Sequence, residues 1–323
     1  MLTVQVFVRF LYTVYCKRHF EECNSGRTYD KAVTKDILSF AGWSFLGNFG
    51  ITCRDQVTNI LFNVFFQTPV VNAARGIATQ VSGIISTFAT NITMAINPQI
   101  TKNYSSGNIK ESVSLVYMGC RASFYMLTLI VVPFVVNVDY VLELWLERVP
   151  ENTSLFLYFI LGVALIYSLS QPITVAIQAT GDIKAFQIWI FSLMVLEVCL
   201  TYLVLWITGS LVYALVPSVV VNFISTAVRM ALVKKKVGAY SFRQYACDVV
   251  FRCVMVLLIS CVVAMYIHYM IGYESFVAFF GECVVLALST IVIILLFGLK
   301  RDERLQLVSK LTMSVKRLNG RRV

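Results

Sequence analysis

The sequence predicts an all-α polytopic membrane protein, with eight transmembrane helices preceded by a partial N-terminal helix. Three observations predict it. Hydrophobic residues make up 58% of the 323 residues and charged residues only 14%, with a mean hydropathy of +0.76; a soluble domain carries about 25% charged residues. Eight long apolar runs follow one another along the chain. The loops between those runs alternate in charge. Lys17, Arg18, Arg27, Lys31 and Lys35 precede the first run, Lys102, Lys110 and Arg121 follow the second, and Lys184 follows the fourth. Lys234, Lys235, Lys236 and Arg243 follow the sixth; Lys300, Arg301, Arg304, Lys310, Lys316, Arg317, Arg321 and Arg322 follow the eighth. The intervening loops hold Asp139, Glu143, Glu147, Glu151 and Glu274, with Arg148 the one clear basic residue among them. Lys and Arg are retained on the cytoplasmic side when helices insert, so the alternation predicts span count and orientation together, with the C-terminus in the cytoplasm.

Taken in order, the chain opens with an apolar stretch, Leu2 to Tyr15, of about fourteen residues. As a helix it rises only ~21 Å, against a hydrocarbon core of about 30 Å. It lacks the basic start and small-residue cleavage site of a signal peptide. It ends at Lys17-Arg18-His19, as the cytoplasmic end of a span would, and reads as the tail of a helix whose beginning is missing. The predicted spans are 37–66, 70–97, 114–137, 154–178, 184–208, 210–232, 248–271 and 275–298, each long enough to cross with some tilt. Residues 178–182 turn the fourth span into the fifth, with Gly181 suited to a helix C-terminal turn. Trp43 and Trp189 fall near inner ends and Trp145 and Trp206 near outer ends, as an interfacial aromatic belt predicts. The expected organisation is 1–36 (end of a helix and a cytoplasmic loop), 37–232 (six helices), 233–299 (a loop and two further helices) and 300–323 (a basic cytoplasmic tail).

The first six spans are not uniformly apolar. In the first, Asn48, Thr52, Asp55, Asn59 and Asn63 recur every three or four residues. In the second, Asn72, Arg75, Thr79, Ser82, Ser86, Thr90, Thr93 and Asn97 do the same. Shorter stripes run through Tyr167, Gln171, Thr174 and Gln178, and through Ser218, Asn222, Ser225 and Arg229. Such spacing places polar groups on one helical face, which cannot point at lipid without leaving donors and acceptors unpaired. The shorter stripes suit helix–helix hydrogen bonding and cavity lining equally. The long stripe of the second span points to a wet cavity. The last two spans are almost purely apolar apart from Asp248, Arg252 and Glu282, and are expected to pack outside the polar helices.

Ionisable groups inside spans single out a candidate site. Arg54-Asp55-Gln56 lies past the middle of the first span, where each charge costs roughly 2.5–3.5 kcal/mol to insert. Successive helix positions point about 100° apart, so Arg54 and Asp55 need not satisfy each other directly. They read either as a structural ion pair with other helices or as cavity groups: Arg54 and Arg75 supplying positive charge, with Asp55 tuning or coupling it. The candidate cavity residues are Arg54, Asp55, Gln56, Asn59, Asn72, Arg75, Thr79 and Gln171, with Asp55 and Glu197 as candidate ion-coupling groups. No nucleophile elbow, phosphate-cradling glycine loop or His/Asp/Glu cluster appears, so no catalytic residue, metal or cofactor is expected. Nine cysteines and two histidines show no metal spacing, and no C-x-x-C occurs. Cys16 and Cys23 fall in an expected cytoplasmic loop, where thiols stay reduced. The net charge of +10 lies in short scattered loops facing anionic headgroups, which excludes a nucleic-acid-binding face.

Several segments resemble prokaryotic oligosaccharide flippases. They are Phe40-Ala41-Gly42-Trp43, Asn63-Val64-Phe65-Phe66, Val71-Asn72-Ala73-Ala74-Arg75-Gly76-Ile77-Ala78 and Asn97-Pro98-Gln99-Ile100-Thr101-Lys102, with Tyr104 and Gly107 following. Leu144-Trp145-Leu146 with Val149-Pro150, and Ile177-Gln178-Ala179-Thr180-Gly181, continue the match in order across most of residues 36–190. These flippases belong to the multidrug/oligosaccharidyl-lipid/polysaccharide exporter superfamily, alongside the MATE drug antiporters. The resemblance implies two six-helix lobes around a central cavity that alternates between inward- and outward-open states. It also implies a sugar chain on a polyprenyl diphosphate as substrate, moved across the bacterial inner membrane for surface polysaccharide assembly. A pyrophosphate head needs cationic partners, and Arg54 and Arg75 are the best placed.

Against that family's pattern, residues 37–232 would be the C-terminal lobe and the last two helices an added pair. The first lobe would be absent, so the chain would be either truncated or paired with another polypeptide, because access switches by rocking one bundle against the other. A cation-coupled drug antiporter is the competing transport reading, kept open by Asp55 and Glu197. A non-transporting remnant or helper subunit is the competing reading outside transport.

Overall fold

The computed structural model describes residues 2–20, 23, 30–271, 276–300, 303 and 304. Arg27, Glu274, Arg301 and the basic positions from Lys310 onward lie outside the described residues. The chain divides into two compact units, residues 1–43 and 44–323. In the first, α1 (Leu2–His19) carries Cys16 inside the helix rather than in a loop, because the helix runs on through Lys17 and Arg18. The helix α2 (Lys31–Phe66) begins in this unit, where Asp30 Oδ1 accepts the Ala32 backbone N–H at 2.8 Å and so satisfies an orphan donor of the first turn.

The second unit continues α2 and adds α3 (Pro69–Ser105), α4 (Ile109–Val136), the short α5 (Val138–Trp145), α6 (Thr153–Ser168) and α7 (Gln171–Ala179). Then come α8 (Lys184–Thr208), α9 (Leu211–Lys236), α10 (Phe242–Tyr245), α11 (Arg252–Ile271) and α12 (Phe276–Ile293), with π-helical turns at Ala246–Phe251 and Ile294–Gly298. Among the described residues there is no strand. Among the described residues, six helical stretches are long and apolar enough to cross a membrane: Ile109–Val136, Thr153–Ala179, Lys184–Thr208, Leu211–Lys236, Phe242–Met270 and Phe276–Gly298. α2 and α3 are long helices where the first two spans were expected, but their polar stripes keep them out of that set.

The fourth expected span differs from the prediction. It is two helices, α6 and α7, broken at Leu169 and Ser170. Pro172 in the first turn of α7 supplies the local cause, since a proline fits there without a lost N–H but cannot continue a helix from behind. The break is held from outside: Tyr245 Oη donates to the Leu169 carbonyl at 2.9 Å and Arg229 Nη1 donates to Ser170 Oγ at 3.1 Å. Beyond α7, Gly181 takes φ 78°, the left-handed turn its position predicts. Lys236 Nζ lies 2.9 Å from Asp182 Oδ2 there, and this hydrogen bond holds the exposed Asp182 carboxyl below its usual range.

α4 is the hub. It packs against α3 and α6 on one side and α11 and α12 on the other. Arg121, counted with the basic positions after the second span although it falls inside the third, is a buried residue of α4, 3% exposed. Its Nη1 donates to the Asp248 carbonyl at 3.3 Å and its Nη2 donates to Glu303 Oε1, while Lys300 Nζ donates to Asp248 Oδ2 at 2.6 Å. Tyr125 Oη adds a bond to the Gly298 carbonyl at 2.9 Å. α11 and α12 otherwise stay at the margin: 22% of the most apolar stretch of each is buried, against 56% for α4. Glu282 does not face outward; it is 1% exposed and sits 2.8 Å from His268 Nδ1.

α2 meets α8 through small residues, as helices do where no water drives them together. A Cβ on Gly50 would stand 2.8 Å from Cδ2 of Phe191 and 3.1 Å from Sδ of Met194. Gly50→Leu is therefore expected to displace the Phe191 and Met194 side chains and lower the thermal midpoint of the detergent-solubilised chain, at a cost of about 1–3 kcal/mol. An unchanged midpoint would show that α2 and α8 do not need this close approach.

Candidate functional site

Two of the cavities within the second unit adjoin, one of about 480 Å³ and one of about 440 Å³. The first sits toward the Phe62 end of α2 and is lined from α2, α3, α6, α8 and α9. The second sits toward the Gln178 end of α7, near the basic end of α9, and takes in Asn48, Tyr167, Gln187, Ser225 and Arg229. Arg54 and Glu197 line both, together with Ile160, Val163 and Asn222. The partition between the cavities is thus an ion pair framed by two aliphatic side chains and one amide.

The geometry of that partition gives both pairings. Arg54 and Asp55 meet, although adjacent on the helix: the long guanidinium arm folds back so that Nε and Nη2 donate to Asp55 Oδ1 at 3.2 and 3.0 Å. Glu197 Oε2 lies 3.6 Å from Arg54 Nη1. Arg75 reaches across from α3, with Nη1 donating to the Asp55 carbonyl at 3.2 Å and to Asn59 Oδ1. Its guanidinium also stands 5.7 Å from the centre of the Phe62 ring, a cation–π contact. The first cavity therefore holds two cations and two carboxylates, Arg54, Arg75, Asp55 and Glu197, in one connected network. Its walls carry no surplus of positive charge when all four are ionised.

Of the eight cavity residues named from the sequence, Arg54, Asp55, Gln56, Asn59, Arg75 and Thr79 line the first cavity. Asn72 stands behind it, its Nδ2 donating to the Asn59 carbonyl at 3.3 Å and so steadying the residue that receives Arg75. Gln171 lines neither cavity. Its Oε1 accepts from Thr93 Oγ1 at 3.5 Å, and Thr93 also meets Ser123 Oγ at 2.9 Å, so this part of the α3 stripe joins helices. The long stripe divides: Arg75, Thr79 and Ser82 face the cavities, and Thr93 faces α4 and α7. Thr58, Thr201, Ser218 and Asn222 add to the polar lining; Ser218 and Asn222 come from a stripe for which helix pairing and cavity lining were equally expected, and Thr58 and Thr201 had not been singled out. Thr201 stands one turn beyond Glu197, so periodicity carried a signal for it.

This constellation can exchange partners. Arg54 has two carboxylates within reach, Asp55 on its own helix and Glu197 across the partition, and neutralising Glu197 would leave Arg54 on Asp55 alone. A family model described as MatE matches residues 33–203, more than half of the chain. The matched region holds every sequence-named site residue and ends before α9. No curated protein and no solved structure matches the chain.

Proposed function

The chain belongs to the MatE family and is a multi-pass membrane transporter of the MATE superfamily, and from that premise we propose that it moves a lipid-linked oligosaccharide across a bacterial inner membrane by alternating access. The observation carrying this reading is the pair of polar cavities that meet at Arg54 and Glu197 inside otherwise apolar helices. Paired charges of this kind in a membrane mark substrate or ion pathways. Helices α2–α9 act as one bundle rocking against a second, the sugar chain contacts the amide and hydroxyl lining, and the diphosphate meets guanidinium groups. Asp55 and Glu197 couple movement to an ion gradient. The end of the bundle carrying Lys234–Lys236 faces the cytoplasm.

One observation favours a second reading. Because the carboxylates of the first cavity equal its cations in number, a cation-coupled drug antiporter is also supported. Reconstitution in proteoliposomes separates them, using a fluorescent sugar on a polyprenyl diphosphate in one arm and a cationic dye in the other. Flipping of the lipid without dye efflux is expected, with a cysteine at position 234 labelled only from the cytoplasmic face. Dye efflux without lipid flipping would replace the first reading by the second.

A further inference from the structure

Arg229 differs from the other cavity cations. It is 6% exposed, yet among the described residues no carboxylate pairs with it. Its Nη1 donates to Ser170 Oγ at 3.1 Å, its guanidinium lies 5.3 Å from the centre of the Tyr167 ring, and its Nε is buried without a partner. These contacts are to neutral groups and leave the charge itself uncompensated. A buried cation without a counter-ion is strongly unfavourable, whereas a neutral side chain could brace Ser170.

The charge inventory of the two cavities points the same way. In the second cavity Arg54 and Glu197 offset each other, and Arg229 is left over as a net positive charge. Around it stand neutral hydrogen-bonding groups, Gln178, Gln187, Asn222 and Ser225. The first cavity is balanced. We infer that the second cavity is an oxyanion-binding site in which Arg229 is the principal cation, and that the anionic head of a substrate docks there rather than at Arg54 and Arg75. The planar guanidinium fork suits a phosphate-type oxyanion, and the surrounding amides and hydroxyls suit its remaining oxygens. Arg229 lies near the basic end of α9, so this is the docking point for a substrate entering from the proposed cytoplasmic side. Identifying the anion as a polyprenyl diphosphate rests on the function proposed above; the anion site does not.

The test uses the full chain in nanodiscs of zwitterionic lipid, titrated calorimetrically with inorganic pyrophosphate and, separately, loaded with undecaprenyl diphosphate. Arg229→Gln is expected to weaken pyrophosphate binding about tenfold or more, Arg229→Lys to stay within about threefold of the unaltered chain, and Ser170→Ala to bind normally. Equal affinity in Arg229→Gln, or no binding by the unaltered chain, would overturn the inference. So would a loss in Ser170→Ala as large as in Arg229→Gln, since Arg229 would then only brace the helix break. Pyrophosphate binding that depends on Arg229, without any binding of undecaprenyl diphosphate, would keep the anion site and sink the oligosaccharide-lipid reading. Undecaprenyl diphosphate binding indifferent to Arg229 would do the reverse.

Discussion

Arg75→Ala is expected to abolish transport while the chain still reaches the membrane at its normal level. Arg75 is the only described cation that α3 contributes to the first cavity, and it ties that helix to α2 through the Asp55 carbonyl and Asn59 Oδ1. Its loss removes two hydrogen bonds from a charged donor, about 1.5–3 kcal/mol each at most because the Asp55 carbonyl keeps its helical partner, and leaves the cavity one negative charge in excess. That sum lowers the melting temperature but is of the order that α3 can absorb, because Val71, Ala74, Ala78, Val81 and Ile85 keep their buried packing. Flipping in proteoliposomes should fall by about a hundredfold, the scale of truncating one partner of a hydrogen-bonded charged pair. Arg75→Lys, which keeps the charge but not the fork, should fall between the two. Transport within twofold of normal in Arg75→Ala would remove the first cavity from the substrate path.

The second large effect is expected at Glu197, and on coupling rather than on binding. Glu197→Gln preserves shape and removes the charge that faces Arg54 across the partition. At 3.6 Å the gross attraction is on the order of 4 kcal/mol with an effective dielectric of ~20, largely offset by the desolvation of both groups. A balance of that kind makes the pair easy to switch by a proton or a sodium ion. The variant should therefore transport at one rate whether or not a pH or sodium gradient is imposed across the proteoliposome, while its affinity for substrate stays within about threefold. A gradient response equal to that of the unaltered chain would show that coupling resides elsewhere. Asp55→Asn should do less, because Asp55 is 46% exposed at its side chain and water screens what it loses.

Much of the architecture was legible because hydropathy and charge are properties of segments. Apolar runs and basic loops placed α4, α8, α9, α11 and α12 close to where they lie, and of the polar stripe of α2, Asn48, Asp55 and Asn59 line the cavities while Thr52 and Asn63 line neither. What the sequence hid depends on single side chains and long-range partners. The break between α6 and α7 hangs on one proline and on contacts from Arg229 and Tyr245, 59 and 76 residues away in the chain. Cβ directions left open whether Arg54 and Asp55 meet, because they do not say how far a guanidinium arm can fold. Gln171 shares the spacing of a cavity residue, yet the bend at Ser170 carries it against Thr93 instead. Arg121 was counted with the basic loop charges although it falls inside the third expected span, and nothing local reveals that Asp248 and Glu303 will cover it.

That last contact joins distant parts of the chain. Arg121 belongs to α4, but the carboxylate that pairs with it lies 182 residues later. In the folded chain the cation lies where α4 meets α11, through the Asp248 carbonyl, and is paired by Glu303, so the apolar burial and the charge pairing of α4 are completed by the same distant part of the sequence.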